Sequence, residues 1–165
     1  MRRPWSLSAK MGAMGSALLL MALFSIGLTL WVTWQLEGGA AAVNEAGRMR
    51  MQTWRLAQTL AAGDGERATG LLQQFDRSLT LLRDGDATRP LFVPRDPRSQ
   101  AAFGLVQQDW ARLREAWTAT PAPAAPAVTG QAETFVAGFD DFVSAIERQL
   151  AQLTAVLNGF QFVMM

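Results

Sequence analysis

The residues best suited to chemistry lie in the segment 42–56, which reads AVNEAGRMRMQTWRL. Steps of four and three residues return to the same side of a helix. In this segment and at the residue after it, those steps select Val43, Gly47, Arg50, Trp54 and Ala57. Arg50 therefore interrupts a seam of apolar and small residues. Because burial of an unpaired guanidinium costs several kcal/mol, this arginine needs either an anion or contact with water.

Pairing of two copies of the chain along this seam would supply a site for an anion. Two Arg50 side chains would then face each other, and a bound anion would relieve both their repulsion and their desolvation. A planar oxyanion suits the site, because a guanidinium offers paired donors in one plane. Gly47 permits a close approach of the two backbones, and Met51 provides an adaptable apolar neighbour. The alternative interpretation is that the arginines of the segment are solvated surface charges, and periodicity alone favours this alternative.

The composition excludes most other kinds of site. The chain has no histidine and no cysteine, so the commonest general bases, nucleophiles and transition-metal ligands are missing. The adjacent carboxylates Asp140 and Asp141 point about 100° apart on a helix and form neither an acid/base pair nor a metal clamp. A net charge of +1 gives no reason to expect binding to nucleic acid. We therefore predict no enzymatic activity, no metal, no cofactor and no nucleic-acid partner.

The segment 11–36 predicts a transmembrane helix, because it holds 26 residues without a charge and about 20 apolar residues suffice to cross a bilayer. The alternative is a cleaved signal peptide, whose apolar region is usually only about 7–15 residues long. Trp31 and Trp34 lie where interfacial aromatic residues are expected. The segment is preceded by three basic residues, Arg2, Arg3 and Lys10. The residues that follow it include the acidic Glu37 and Glu45 instead. This asymmetry of charge across the span predicts a cytoplasmic N-terminus.

Helical periodicity continues along the rest of the chain. The transmembrane helix is expected to run on as one rod to about Ala62, with Gly38-Gly39 as its weak point. Further amphipathic helices are predicted over 66–83, over 97–118 and from about 131 onward. The segment 120–126 is too rich in proline to be helical and is predicted as a loop. We predict an all-α fold, a transmembrane helix followed by an antiparallel up-down four-helix bundle.

These elements predict four parts of the chain. Residues 1–10 form a cytoplasmic N-terminus, 11–36 the transmembrane helix, 37–154 an extracytoplasmic four-helix bundle, and 155–165 the start of a truncated second transmembrane helix. The last part is apolar but only about half as long as a span requires. The alternative is a complete one-span protein that ends in an apolar helix.

A resemblance sharpens the interpretation of the arginine-containing segment. The residues that carry it are Asn44, Ala46-Gly47, Met49-Arg50-Met51-Gln52 and Arg55-Leu56. They resemble the signature of the NarX/NarQ family of nitrate and nitrite sensor kinases, shared with the PilJ-type chemoreceptor N-terminal domain, in which it also follows the first transmembrane helix. The resemblance implies that Arg50 of each subunit binds the anion at a dimer interface and that Arg55 takes part in signalling. Two departures from the family pattern, Glu45 where lysine is frequent and Arg48 where a small residue is usual, alter the local charge.

The residues and the resemblance together predict a sensor module of a receptor in the bacterial inner membrane. The expected ligand-binding residues are Arg50, Gly47, Met51 and Trp54, and the expected signalling residues are Arg55, Asn44 and Glu45. The expected partners are a nitrate or nitrite anion, a second copy of the chain, the membrane, and a cytoplasmic output domain or response regulator. The full-length relative would then be a sensor histidine kinase. The alternatives are the sensor domain of a methyl-accepting chemoreceptor and a membrane-tethered helical interaction module without a small ligand.

Overall fold

The computed structural model describes residues 7–86, 88–121 and 123–164, and this part of the chain is all-helical, with no strand. Its helices are α1 (Leu7–Ala61), α2 (Gly65–Asp84), α3 (Pro97–Trp117) and α4 (Ala125–Met164). Arg2 and Arg3, on which the predicted cytoplasmic N-terminus depends, lie outside the described residues.

Helix α1 is one uninterrupted rod of 55 residues, so the predicted continuity is confirmed. Gly38 and Gly39 remain helical, and both are buried by neighbouring parts of the chain. A Cβ atom on Gly38 would lie 2.2 Å from Cε1 of Phe92, and one on Gly39 would lie 2.6 Å from Cδ2 of Leu150. The two glycines therefore let other elements approach the backbone of α1 instead of breaking the helix.

The N-terminal part of α1 differs from the rest of the helix in its surroundings. Its large apolar side chains are exposed, among them Leu18, Leu20, Leu23 and Phe24. By length and composition, α1 is the only helix of the described residues that could cross a membrane. The chain is therefore compatible with a membrane protein, whose apolar anchor leads into a packed domain.

The core of that domain is rich in aromatic residues. Phe75 of α2 stacks on Trp110 of α3 with ring centroids 3.9 Å apart, and Phe135 and Phe139 of α4 complete the group. The Trp110 indole N–H donates to Asp76 at 2.8 Å, and the Trp117 indole N–H donates to Gln131 at 2.8 Å. Both tryptophans are only 3% exposed, so they belong to the core.

Contacts between the helices follow a reversed order along the chain. Along α1 and α4, Phe24 meets Phe160, Gly39 meets Leu150 and Arg50 meets Asp140. Along α3 and α4, Phe103 meets Phe142 and Trp110 meets Phe135. In both pairs, residue numbers rise along one helix as they fall along the other.

The predicted start of α4 is wrong, because the helix begins at Ala125 and not near Gln131. Pro126 lies in its first turn, where a backbone N–H would have no partner within the helix. Proline is therefore compatible with this position, although a proline in the interior of a helix breaks or kinks it. The start of α3 at Pro97 follows the same rule, with Asp96 accepting hydrogen bonds from the backbone N–H groups of Arg98 and Ser99.

Candidate functional site

The segment of α1 that contains Arg50 has an inner and an outer side. The inner side points into the domain and includes Ala42, Ala46, Met49, Thr53 and Leu56, all of them buried. The outer side is exposed and includes Asn44, Arg48, Met51 and Arg55. Most of the predicted seam lies at the boundary between the two, since Val43, Gly47, Arg50 and Trp54 are half-buried. Ala57, in contrast, is 4% exposed and belongs to the core.

Arg50 is not an unpaired cation within one chain. Its Nη1 atom lies 3.0 Å from Oδ1 of Asp140 on α4. The two side chains are 42% and 57% exposed, and an ion pair that accessible stabilises a protein by only about 0–1 kcal/mol. The guanidinium therefore remains accessible to water and to dissolved anions.

Sequence reasoning missed Asp140 as the partner of Arg50. The only signal for it was the register of α4 against α1, which depends on contacts between residues far apart in the chain. Gly39 meets Leu150, and Arg50 and Asp140 lie about three helical turns from that contact, further along α1 and further back along α4.

The two departures from the family pattern form a pair of their own. Glu45 is 4% exposed, and its Oε1 atom lies 2.6 Å from Nη2 of Arg48. The same Nη2 atom lies 3.4 Å from the Ser78 hydroxyl on α2. The arginine at position 48 thus compensates the buried carboxylate at position 45 and connects α1 with α2.

The surface next to Arg50 is open. A Cβ atom on Gly47 would meet no other atom within 4 Å, and Met51 is 68% exposed. Trp54 packs against the edge of the core. This part of α1 therefore offers a small residue, an apolar side chain and a guanidinium to whatever lies outside the domain.

Arg55 and Asn44 do not share a site with the Arg50–Asp140 pair in the described chain. Arg55 is exposed near the C-terminal end of the segment 42–56. It lines a crevice of about 240 Å³ together with Gln58 and Arg67. Asn44 is exposed six residues before Arg50. Any coupling of these residues to Arg50 would act through the helix that they share.

Gln52 is a feature that sequence reasoning did not single out. Its side chain is 5% exposed, and within the described residues neither Oε1 nor Nε2 has a hydrogen-bond partner. Burial of an unsatisfied polar group costs about 1–3 kcal/mol. The inner side of α1 therefore contains a local source of instability two residues from Arg50.

The described residues contain no group of three or more histidine, cysteine, aspartate or glutamate side chains that could hold a metal ion. The segment does contain three guanidinium groups, those of Arg48, Arg50 and Arg55, and such groups can bind an anion or form an ion pair.

A comparison with curated proteins finds no significant match to the chain. A comparison with protein families finds PilJ, described as "Type IV pili methyl-accepting chemotaxis transducer N-term", over residues 31–135. The matched region runs from the end of the apolar part of α1 into α4. It contains all the predicted site residues but not Asp140. Since this match covers more than half of its residues, the chain belongs to the PilJ family, the N-terminal domains of type IV pili methyl-accepting chemotaxis transducers.

Proposed function

We propose that the chain is the sensor module of a membrane signal-transduction receptor and binds nitrate or nitrite between the Arg50 side chains of two copies. The observation that carries the proposal is the position of Arg50, which is 42% exposed beside open space at Gly47. A second chain can approach there without moving the core. Two guanidinium groups brought together in this way repel each other, and a planar anion between them removes that repulsion.

We further propose an up-down arrangement of the helices, with the domain on the periplasmic side of the bacterial inner membrane. The reversed order of contacts between α1 and α4 supports the arrangement. It brings the N-terminal part of α1 and the C-terminal part of α4 to the same end of the domain. Residues 11–36 would span the membrane, and residues 155–165 would lie beside them, as Phe160 does beside Phe24. Displacement of one helix against the other would then reach the membrane directly.

Binding of the anion would change how α1 and α4 are held together. An anion on Arg50 competes with the Asp140 carboxylate, which belongs to α4. Release of Asp140 removes one of the contacts between α1 and α4 at this level. A ligand shifts the equilibrium between two packings by its difference in affinity for them. We propose that the packing without the Arg50–Asp140 pair is the one that the anion favours.

The family match favours a methyl-accepting chemotaxis output, since its description names a chemotaxis transducer. The alternative output is a sensor histidine kinase that acts on a response regulator. In both cases, we propose that the chain itself senses a ligand and catalyses no reaction.

A second candidate is a membrane-tethered interaction module without a small ligand. The Arg50–Asp140 pair supports it, because it gives the guanidinium a counter-charge within the same chain. Under this hypothesis the pair only joins α1 to α4. Addition of nitrate would then change neither the stability nor the assembly of the protein.

Thermal unfolding of the full chain in detergent, with nitrate replacing chloride at constant ionic strength, distinguishes the two candidates. A ligand that binds the folded state raises its stability, by about 2.7 kcal/mol at a hundred times its Kd. We expect nitrate to stabilise the wild type and not Arg50→Ala. Arg77→Ala is the matched control, since Arg77 is an exposed arginine on α2. Absence of stabilisation and of binding heat for both nitrate and nitrite would contradict the proposed ligand.

A further inference from the structure

A cleft of about 790 Å³ lies beside α1 at the end of its apolar part. One wall is a turn of α1 with Trp31, Trp34 and Gln35, and the other is the loop between α2 and α3. The backbone N–H of Phe92 donates to the Gly38 carbonyl at 3.5 Å, and the Phe92 ring lies 4.4 Å from Trp34. The loop is therefore fixed against α1 within about one helical turn of Trp34.

The cleft carries one positive charge that the surrounding residues do not compensate. Both Asp84 oxygens accept from Arg83, at 2.8 and 3.0 Å, and the pKa of Asp84 is lowered by this pair. Asp86 accepts from the backbone and hydroxyl of Thr88 and from Arg89, which lowers its pKa to about 2. The acidic groups that line the cleft are thus already paired.

Arg95 differs from these groups. It lines the cleft and is exposed. Among the described residues, no side chain forms an ion pair or hydrogen bond with its guanidinium. The neighbouring carboxylate, Asp96, accepts from two backbone N–H groups at the start of α3. Arg95 is therefore available to an anion that enters the cleft.

The position of the cleft along α1 places it at the level of lipid headgroups. Trp31 and Trp34 end the uncharged segment 11–36 and are each 49% exposed, as expected for aromatic residues at a membrane surface. The headgroup layer extends about 5–7 Å beyond the hydrocarbon core on each side. One helical turn rises about 5.4 Å, so the loop fixed at Gly38 lies within this layer.

We propose that this cleft binds the headgroup of an anionic phospholipid, with Arg95 on the phosphate and with Trp31 and Trp34 beside the glycerol and upper acyl chain. An arginine can bind two oxygens of one phosphate at once. The lipid would connect α1 to the loop at the point where the domain meets the membrane. The inference depends on α1 spanning the membrane, which is part of the proposed function, and does not depend on nitrate binding.

The test compares the lipids retained by the wild-type full chain with those retained by its variants. Each protein is placed in nanodiscs of phosphatidylcholine that contain some phosphatidylglycerol. Native mass spectrometry then counts the lipids that stay bound on release of the protein. We expect the wild type to retain phosphatidylglycerol preferentially, and Arg95→Ala to retain about fivefold less, the loss expected for one arginine at an anionic membrane surface. Arg98→Ala is the matched control, because Arg98 is an exposed arginine outside the cleft and its variant should behave like the wild type.

Two further measurements separate the ways in which the inference could fail. Flotation with liposomes tests the membrane anchor alone. A chain that floats but retains lipids equally with and without Arg95 would overturn the lipid site and leave the anchor intact, whereas a chain that does not float overturns both. Inorganic phosphate is also titrated onto detergent-solubilised protein. Arg95-dependent stabilisation by phosphate without lipid would show a free-phosphate site and overturn the assignment to a lipid.

Discussion

Within one chain, the Arg50 guanidinium already pairs with the Asp140 carboxylate at 3.0 Å. This carboxylate competes with any external anion for the arginine. A pair that is about half exposed contributes at most about 1 kcal/mol. The carboxylate therefore weakens the binding of an external anion without preventing it. In a receptor, such a competitor sets the ligand concentration at which the arginine changes its partner.

Replacement of Asp140 by asparagine should strengthen anion binding, because the substitution removes the competing negative charge and keeps the size of the side chain. The expected gain in nitrate affinity is up to about fivefold, equivalent to about 1 kcal/mol. Calorimetric titration of the full chain measures it. Asp141→Asn is the control, since Asp141 is exposed on the next residue of α4 and should leave the Kd unchanged. Equal affinities for the Asp140 and Asp141 variants would show that Asp140 does not compete for the site.

The arginine could be identified from the sequence and its partner could not. Arg50 interrupts a local pattern of small and apolar residues, which is visible within two helical turns. Its pairing with Asp140 depends on how far α4 is displaced along α1, and this displacement is determined by contacts such as that of Gly39 with Leu150. Gln52 could not be identified from the sequence either, because its burial without a hydrogen-bond partner depends on the packing of several helices.

Among the helices, α1 is the element that links the proposed anchor to the proposed site. Two adjacent glycines usually weaken a helix, because glycine gains conformational freedom on unfolding. In α1 they are positions of close contact, where Phe92 and Leu150 approach the backbone. The packing energy of these contacts offsets the low helix propensity, so the rod continues across the pair.

Gly38→Ala should therefore destabilise the domain, although alanine favours helix formation. The added Cβ would lie 2.2 Å from Cε1 of Phe92, and displacement of a packed ring costs about 1–3 kcal/mol. Gly104→Ala on α3 is the control, since its Cβ would meet no atom within 4 Å and should stabilise the helix by up to about 1 kcal/mol. Chemical denaturation of both variants measures the difference. A Gly38→Ala variant as stable as the control would mean that Phe92 does not pack against α1.

The sequence predicted helices more reliably where their ends have local signals. Ala62, Gly63 and Asp64 separate α1 from α2, and the Asp64 side chain accepts from the backbone N–H of Arg67. The start of α4 was misplaced because proline has opposite consequences in the first turn and in the interior of a helix. Composition alone does not distinguish these two positions.

For the molecule as a whole, the proposed function requires a second copy at the outer side of α1. Met51 on this side is 68% exposed, and at its boundary a Cβ atom on Gly47 would meet no other atom within 4 Å. The opposite side of the same segment is filled by the core of the domain. The outer side is therefore the part of α1 that remains free for association.

Cysteine cross-linking can test this association directly, because the chain contains no cysteine of its own. A disulfide forms only where two Cα atoms come within about 4.4–6.8 Å. In native membranes under mild oxidation, we expect Met51→Cys to form a covalent dimer, since residue 51 would lie next to its counterpart across the paired helices. Thr80→Cys is the control, an exposed position on α2 that should remain monomeric.

The effect of nitrate on this cross-link connects assembly to sensing. If the anion relieves the repulsion between two Arg50 side chains, it should bring the two α1 helices closer and accelerate cross-linking of Met51→Cys. The same acceleration should vanish when Arg50→Ala is added, because the repulsion and the anion site are then both absent. Cross-linking at position 80 but not at position 51 would place the interface on α2. Dimers at position 51 that form at the same rate with and without nitrate would instead support an interaction module that assembles through α1 without responding to the anion.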